Sequence, residues 1–324
     1  MKNNNRRILK YSAISAALAA LAALPWMVNI HYVDVAVIIG IETMVTLGLC
    51  LLTGYTGQIS LGQAAFYGLG AYISAILSKT YGVSPWAAMG IGAVVTGGFA
   101  YGIGLPVLRL KGNYLAMATL AVGIIMSIVF IEAASFTGGQ DGIQSVPPLA
   151  IGGLVFDSDR KFYYLVWAFC LASLLVSQNI VASRVGRALR AVRDSEAAAE
   201  SVGVNVLQLK ARVFALSAVY ASLAGSLLTH YRTTVGPGAF NFMFSIKVMV
   251  MAVVGGLASV WGAIFGTTAI QSLGDALLEF GDYQIIAYGL ILILVVMFLP
   301  RGLWVSLRDR IVRWRQSRMK RAES

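Results

Sequence analysis

The chain has 324 residues, 58% of them hydrophobic without counting glycine and only 12% charged, with a mean hydropathy of +0.76. Soluble domains run at about 45–50% apolar with glycine included and about 25% charged, so this chain has too few polar side chains to cover a soluble surface and reads as an all-α integral membrane protein. The net charge of +11 is gathered in clusters between apolar runs, not interleaved with aromatics, and no nucleic-acid motif is present, which excludes a nucleic-acid-binding reading.

Lys2, Arg6, Arg7 and Lys10 precede an apolar stretch that reaches about Ile30. A signal peptide and a retained first span both fit this pattern, and the length favours the span. Cutting the chain at charges and turn residues gives ten candidate spans, at roughly 11–30, 34–53, 62–78, 85–108, 113–132, 162–180, 212–231, 244–258, 260–278 and 284–300. With both termini cytoplasmic, the inner segments hold 20 of the 25 Lys and Arg. The remaining five, Lys79, Arg160, Lys161, Arg232 and Lys247, fall on outer segments. That split supports a true pair of crossings between Ser245 and Leu278. Residues 1–300 thus form one transmembrane domain. Residues 301–324 form a basic cytoplasmic tail, with Trp304, Leu307, Ile311 and Trp314 on one helical face to lie on anionic lipid.

In the second span Glu42 is the intramembrane acid. An ionised group at that depth costs at least a few kcal/mol, so Glu42 is expected to face protein, for hydrogen bonding or subunit contact ahead of proton coupling. The run Thr43–Ser78 carries no charge, yet at 54–72 it reads GYTGQISLGQAAFYGLGAY, with five glycines and two glutamines. Irregular backbone at membrane depth is tolerated only against protein or a water-filled cavity. Gly54, Tyr55, Thr56, Gly57, Gln58, Ser60, Gly62 and Gln63 are therefore expected to form a broken, re-entrant stretch lining a translocation path or gate. Gly255 and Gly256, in the comparable place of the second half, form its counterpart. Close helix packing through small residues is the competing reading for the glycines. Neither break carries Lys or Arg, which keeps both at the level of the bilayer.

The outer loop 133–161, rich in Gly and Pro, is either a structured docking surface or a spacer. Within the inner loop 181–212, Gly186, Arg187, Arg190 and Arg193 begin a basic stripe that runs into Asp194, Glu196 and Glu200, and Gly203 ends it. Alanines at 188, 191 and 197–199 favour a single two-signed helix over 187–203. Cys50 and Cys170 lie inside apolar runs as small buried hydrophobes. His31 and His230 have no metal-ligand spacing. Asp275 and Glu279 read as interfacial acids. No phosphate-binding G-x-x-x-x-G-K-[ST] loop occurs, so the chain reads as a passage without a motor of its own.

The stretch GRALRAVRDSEAAAESVGVN at 186–205 resembles the coupling loop of the M-type (LivM) membrane subunits of bacterial ABC importers for branched-chain amino acids. The 54–72 segment, LRLKGNYLAMATLA at 108–121, TGGQDGI at 137–143 and VVGGLASVWGAIFG at 253–266 are similar to the same family, in the same order, over about 55–300. One departure is that Gly203 aligns Ala197, Ala198 and Ala199 with the Glu-Ala-Ala of ABC importers in general, leaving Glu196 one place early. The resemblance implies a permease in the bacterial inner membrane that passes leucine-type amino acids. It implies an H-type permease partner, two ABC ATPase subunits that bind the ATP, and a periplasmic binding protein. No cofactor and no enzymatic activity in the chain itself are expected. Permeases of the same superfamily for urea, short amides or other small polar solutes remain an alternative, as does an ion-coupled secondary transporter.

Overall fold

The computed structural model describes residues 21–151, 153–277, 289 and 297. Among these the architecture is helical, apart from a short antiparallel hairpin of Ala150–Ile151 with Leu154–Val155.

Helix α1 (Ile30–Leu49) continues as a π-helical segment, Cys50–Gly54. Every residue from Ile39 to Thr56 is buried. A helix that is apolar all round belongs inside a bundle, and α1 is the central post of this one. The others follow in chain order: α2 (Gln63–Lys79), α3 (Pro85–Val107), α4 (Asn113–Glu132), α5 (Asp159–Ala182), α6 (Arg184–Asp194), α7 (Glu196–Ser201), α8 (Val206–Arg232), α9 (Phe242–Gly255) and α10 (Val260–Ala276). Helix α8 packs on α2, α3 and α1, while α5 and α10 flank α1 on other sides.

Lipid chains are as apolar as leucine, so helices in a bilayer associate through close van der Waals contact and hydrogen bonds. The α2–α8 seam shows how the sequence supplies these. A Cβ on Gly225 would fall 1.9 Å from the Tyr67 carbonyl oxygen, and one on Gly70 would fall 2.2 Å from that of Ser222. Ser226 Oγ then donates to the Gly70 carbonyl at 3.0 Å.

Five helices are long and apolar enough to cross a membrane: Ile30–Gly54, Pro85–Val107, Asn113–Glu132, Asp159–Ala182 and Val206–Arg232. The pair α9 and α10, bent by 118° at its break, makes a sixth if counted as one span. The described residues thus give five or six spans against the ten expected. Predicted span 284–300, the basic tail, the first 20 residues and Glu279 lie outside the described residues. Helices α2, α9 and α10 have 17, 14 and 17 residues, or about 26, 21 and 26 Å at 1.5 Å per residue, short of a hydrocarbon core of about 30 Å.

The two ends of the bundle sort the loops as the charge pattern predicts. At one end the 56–59 stretch, the α3–α4 turn at 110–112 and the α6–α7 arm line one cavity. At the other, the 133–161 loop is structured, not a free spacer. Ile143 and Val235 form an antiparallel bridge, Val146 N donates to the Thr233 carbonyl (2.9 Å), and Lys79 Nζ donates to the Gln144 carbonyl (2.6 Å). His230 joins this end to the core, with Nδ1 2.7 Å from the Pro147 carbonyl oxygen and Nε2 2.8 Å from Ser74 Oγ.

Candidate functional site

The first break begins where α1 widens into its π segment. Such bulges commonly mark functional positions in helices. After Tyr55 and Thr56 the chain leaves helical geometry, with Gly57 at φ +74°, and regains it only at Gln63. Hydroxyls from three other helices hold this irregular stretch: Thr119 Oγ1 accepts from Leu61 N, Ser245 Oγ accepts from Ala64 N, and Ser217 Oγ accepts from Gln63 Nε2, each at 3.0 Å. Within the segment Thr53 Oγ1 donates to the Gln58 carbonyl at 2.9 Å and Thr56 Oγ1 donates to the Leu52 carbonyl. Both polar atoms of the Gln58 amide, Ser60 Oγ and Gln63 Oε1 are buried without a partner.

The second break lies directly against the first. A Cβ on Gly54 would stand 1.8 Å from the Leu257 carbonyl oxygen, so only glycine allows this approach. Gly256 has φ +107°, and Gly255 and Gly262 touch through their backbones where α9 turns into α10. Ser259 caps α10 by accepting from Gly262 N at 3.2 Å.

The arm reaches the same point. Arg193 Nη1 donates to the Gly54 carbonyl at 2.8 Å, and its Cγ lies 3.4 Å from where a Gly57 Cβ would be. The guanidinium thus sits on the last carbonyls of the π segment, the end of a helix that favours a cation. The Tyr55 hydroxyl lies near Arg190 and Arg193 and against the Val260 backbone. A break with no basic residue of its own borrows one from the arm.

The arm is two helices rather than the single one expected over 187–203. Ser195 is extended (φ −161°), ends α6 and caps α7 by accepting from Ala198 N. Serine's preference for a cap outweighs the helix propensity of the alanines around it. Gly186 packs against the end of α5, where its Cβ would lie 2.2 Å from the Val181 carbonyl oxygen, and Arg190 donates to that same carbonyl at 3.2 Å. Glu196 pairs with the buried Lys210 at 2.6 Å, an internal strut of the arm. Gly203, at φ +83°, ends α7 with the paired backbone bonds Gly203 N to Glu200 O and Val204 N to Ala199 O. Arg187, Asp194 and Glu200 face solvent.

Glu42 lies midway along α1, away from both breaks. Its Oε1 is 2.9 Å from Lys247 Nζ on α9, and Lys247 also donates to Gln271 Oε1 on α10 at 2.7 Å. Lys247, expected on an outer segment, therefore sits inside the bundle as the counter-ion of Glu42. The cause is that α9 starts at Phe242 and places Lys247 on its second turn, turned toward α1. Removing one member strands the other charge. Lys247→Met is expected to cost about 2 kcal/mol or more, discounted from the about 3–5 kcal/mol of a fully buried pair because the lysine side chain is 31% exposed. Glu42→Gln combined with Lys247→Met should recover much of the loss. Thermal melts of the purified assembly in detergent would report both changes.

No group of three or more His, Cys, Asp or Glu side chains able to hold a metal exists among the described residues, and Cys50 and Cys170 are free and buried. The site is polar and glycine-lined, with the arm touching a double break. The sequence matches the family described as branched-chain amino acid transport system / permease component over residues 31–299. The chain belongs to this family. Members similar to it include the high-affinity branched-chain amino acid transport system permease protein LivM of Salmonella typhimurium, 30% identical over 321 residues, covering 92% of this chain and 76% of the relative. The LivM protein of Escherichia coli K12 is 30% identical over 327 residues, 94% of this chain and 77% of the relative. The paired permease type is also related: LivH of Salmonella typhimurium is 27% identical over 279 residues, 80% of this chain and 90% of the relative. No solved structure matches the chain.

Within the family fold, the structure brings together Gly54, Tyr55, Gly57, Arg190 and Arg193, with Leu257 and Val260 beside Gly255 and Gly256. It keeps Glu42 and the exposed Arg187 and Glu200 apart from that cluster. Sequence reading missed Lys247, Gln271, Lys210 and the three hydroxyl donors and acceptors at Thr119, Ser217 and Ser245. An uncompensated acid in an apolar run was the signal that a basic partner should be sought, and Lys247 is the only Lys or Arg between Arg232 and Arg301.

Proposed function

We propose that this chain is the M-type permease subunit of an ATP-driven importer that carries branched-chain amino acids across the bacterial inner membrane. The names of its relatives support the substrate class and the pairing with an H-type permease. In this reading the arm end of the bundle faces the cytoplasm, because basic clusters flank cytoplasmic ends. One of two ABC ATPase subunits grips α6 and α7 through Arg187, Arg190, Asp194 and Glu200, and a periplasmic binding protein delivers substrate to the opposite end.

The observation that carries the mechanism is the Arg193–Gly54 bond. Closure of the ATPases would displace the arm, Arg193 would draw on the Gly54 carbonyl at the end of the π segment, and the second break would move with the first because Gly54 rests on Leu257. Two packed breaks of this kind supply a two-state element that both the motor and the substrate can bias. Hydroxyl and amide groups in the passage let a zwitterion through without a fixed charge to trap it.

Reconstitution of the chain with its H-type partner, ATPases and binding protein should give ATP-dependent uptake of labelled leucine. Accumulation against a gradient by this chain alone would refute the reading. Gln58→Leu and Tyr55→Phe are expected to lower uptake about tenfold each, the loss corresponding to about one hydrogen bond at 1.4 kcal/mol. Unchanged uptake in both would remove these residues from the path.

A further inference from the structure

The outward faces of the bundle are of two kinds. On α3 and α4 the exposed side chains along the middle of each helix are apolar, among them Val94, Ile124, Ile125 and Ile128, as a lipid-facing surface requires. On α10, Thr268 and Ser272 are exposed and Gln271 and Asp275 are partly so, at spacings that put all four on one side of the helix. Contacts with α1 fix the depth of this polar stripe. Asp275 lies 3.2 Å from His31 at the end opposite the arm, Gln271 reaches Glu42 through Lys247, and Thr267, next to Thr268, is 3.1 Å from Thr46. Glu42 stands at the midpoint of the 25-residue span Ile30–Gly54. The stripe therefore runs from one membrane interface to the middle of the bilayer.

At that depth a charge, or a row of hydroxyls and amides, is stable only against protein or a water-filled path. The Lys247 side chain, beside Gln271, is 31% exposed. Its ammonium has three N–H donors and no acceptor. Two donors are spent on Glu42 Oε1 and Gln271 Oε1, and the third has no acceptor among the described residues. Because lysine only donates, the Gln271 amide gives it the oxygen. That leaves Nε2 of the same amide, also without an acceptor among the described residues, alongside the ammonium. Two neighbouring donor groups, one of them cationic, suit the two oxygens of a carboxylate.

We infer that the α10 stripe is this chain's wall of the solute passage, and that Lys247 and Gln271 receive the carboxylate of the amino acid on its way to the two breaks. The inference rests on the proposed function for the class of solute and the direction of travel. Glu42 already neutralises Lys247, so the site holds a carboxylate without a net charge, and the solute can leave again. Toward the break the same face of α10 turns apolar at Phe265, which suits an aliphatic side chain.

Thiol labelling of the complete transporter in nanodiscs tests this. Ser272→Cys on the stripe and Ile125→Cys on α4 are each treated with a charged, membrane-impermeant methanethiosulfonate, in the resting transporter and in one trapped with ATP and vanadate. Modification is read on this chain by mass spectrometry, and the native Cys50 and Cys170 are buried. A thiol reacts as its thiolate, which water permits and lipid suppresses. In at least one of the two states Ser272→Cys should react tenfold faster or more than Ile125→Cys. Equally slow modification in both states overturns the passage wall and leaves the face covered by lipid or by a second permease. Leucine should slow modification of Ser272→Cys about fivefold or more, and leucinamide, which lacks the carboxylate, should not. Adding Gln271→Leu, or Glu42→Gln together with Lys247→Met, should remove the protection by leucine, which a merely structural role would leave in place. Equal protection by the two solutes, no protection by leucine, or protection that survives both changes overturns the carboxylate assignment. Absence of ATP-driven leucine uptake by wild type would instead defeat the transport reading, while the labelling still decides whether the α10 face meets water.

Discussion

Replacing Arg193 with alanine is expected to reduce ATP-driven leucine uptake by about tenfold to a hundredfold while the assembled transporter goes on hydrolysing ATP. The side chain supplies a direct polar contact between arm and break, at 2.8 Å to the Gly54 carbonyl. Hydrogen bonds involving a charged group contribute about 1.5–3 kcal/mol, and each 1.4 kcal/mol is a factor of ten. Arg193 is exposed over much of its length, so its loss opens no cavity in the bundle and folding should survive. Arg193→Lys is the sharper version. It keeps the charge but loses the planar fork that reaches a backbone carbonyl from the side, and it should recover little of the coupling. ATPase activity and uptake measured on the same vesicles would separate a broken linkage from a broken motor. Parallel loss of both activities would mean that Arg193 serves assembly and not coupling.

The second large effect is steric. Gly54→Val should prevent the two breaks from closing on each other and abolish uptake. The first added carbon would already lie 1.8 Å from the Leu257 oxygen and 2.5 Å from its carbon, both backbone atoms that cannot rotate away. Overpacking of this kind costs about 1–3 kcal/mol or more, and here it acts on the junction between two elements. The matched control is Gly98→Ala on α3, where a new Cβ meets nothing within 4 Å. Alanine there should be neutral or slightly stabilising, since it is the better helix former by about 1 kcal/mol. Uptake and the melting temperature of the detergent-purified assembly would compare the two. A normally active Gly54→Val transporter would show that the breaks do not need their contact.

Much of this arrangement was legible in the sequence because a membrane imposes simple rules. Apolar runs of the right length gave the positions of α2 through α5 to within about three residues and of α1 and α8 to within four to six, and Lys and Arg sorted the loops to two ends. The glycines at 54–62 and 255–256 announced broken backbone, since few other reasons place so many in an apolar run. What could not be read was which distant segments meet. Nothing local to Gly54 names Leu257, and nothing local to Arg193 names Gly54, because a backbone carbonyl as acceptor leaves no mark on the sequence. Ser195 was misread because helix propensity was summed across it, although its type alone signals a cap. Lys247 was misread because a charge near a span end was assigned to water by default, when the acid at Glu42 already required a partner.

That last pair has a consequence for how the chain is made. Glu42 and Lys247 are 205 residues apart. At about 5–20 residues per second of synthesis, the ribosome needs roughly 10–40 s to deliver the lysine after the acid has emerged. Throughout that interval the nascent central helix carries an acid whose neutralising partner does not yet exist. Until Lys247 is made and α9 packs on α1, the chain itself offers that carboxyl no counter-ion, so the central helix reaches its final seat only after α9 has followed it.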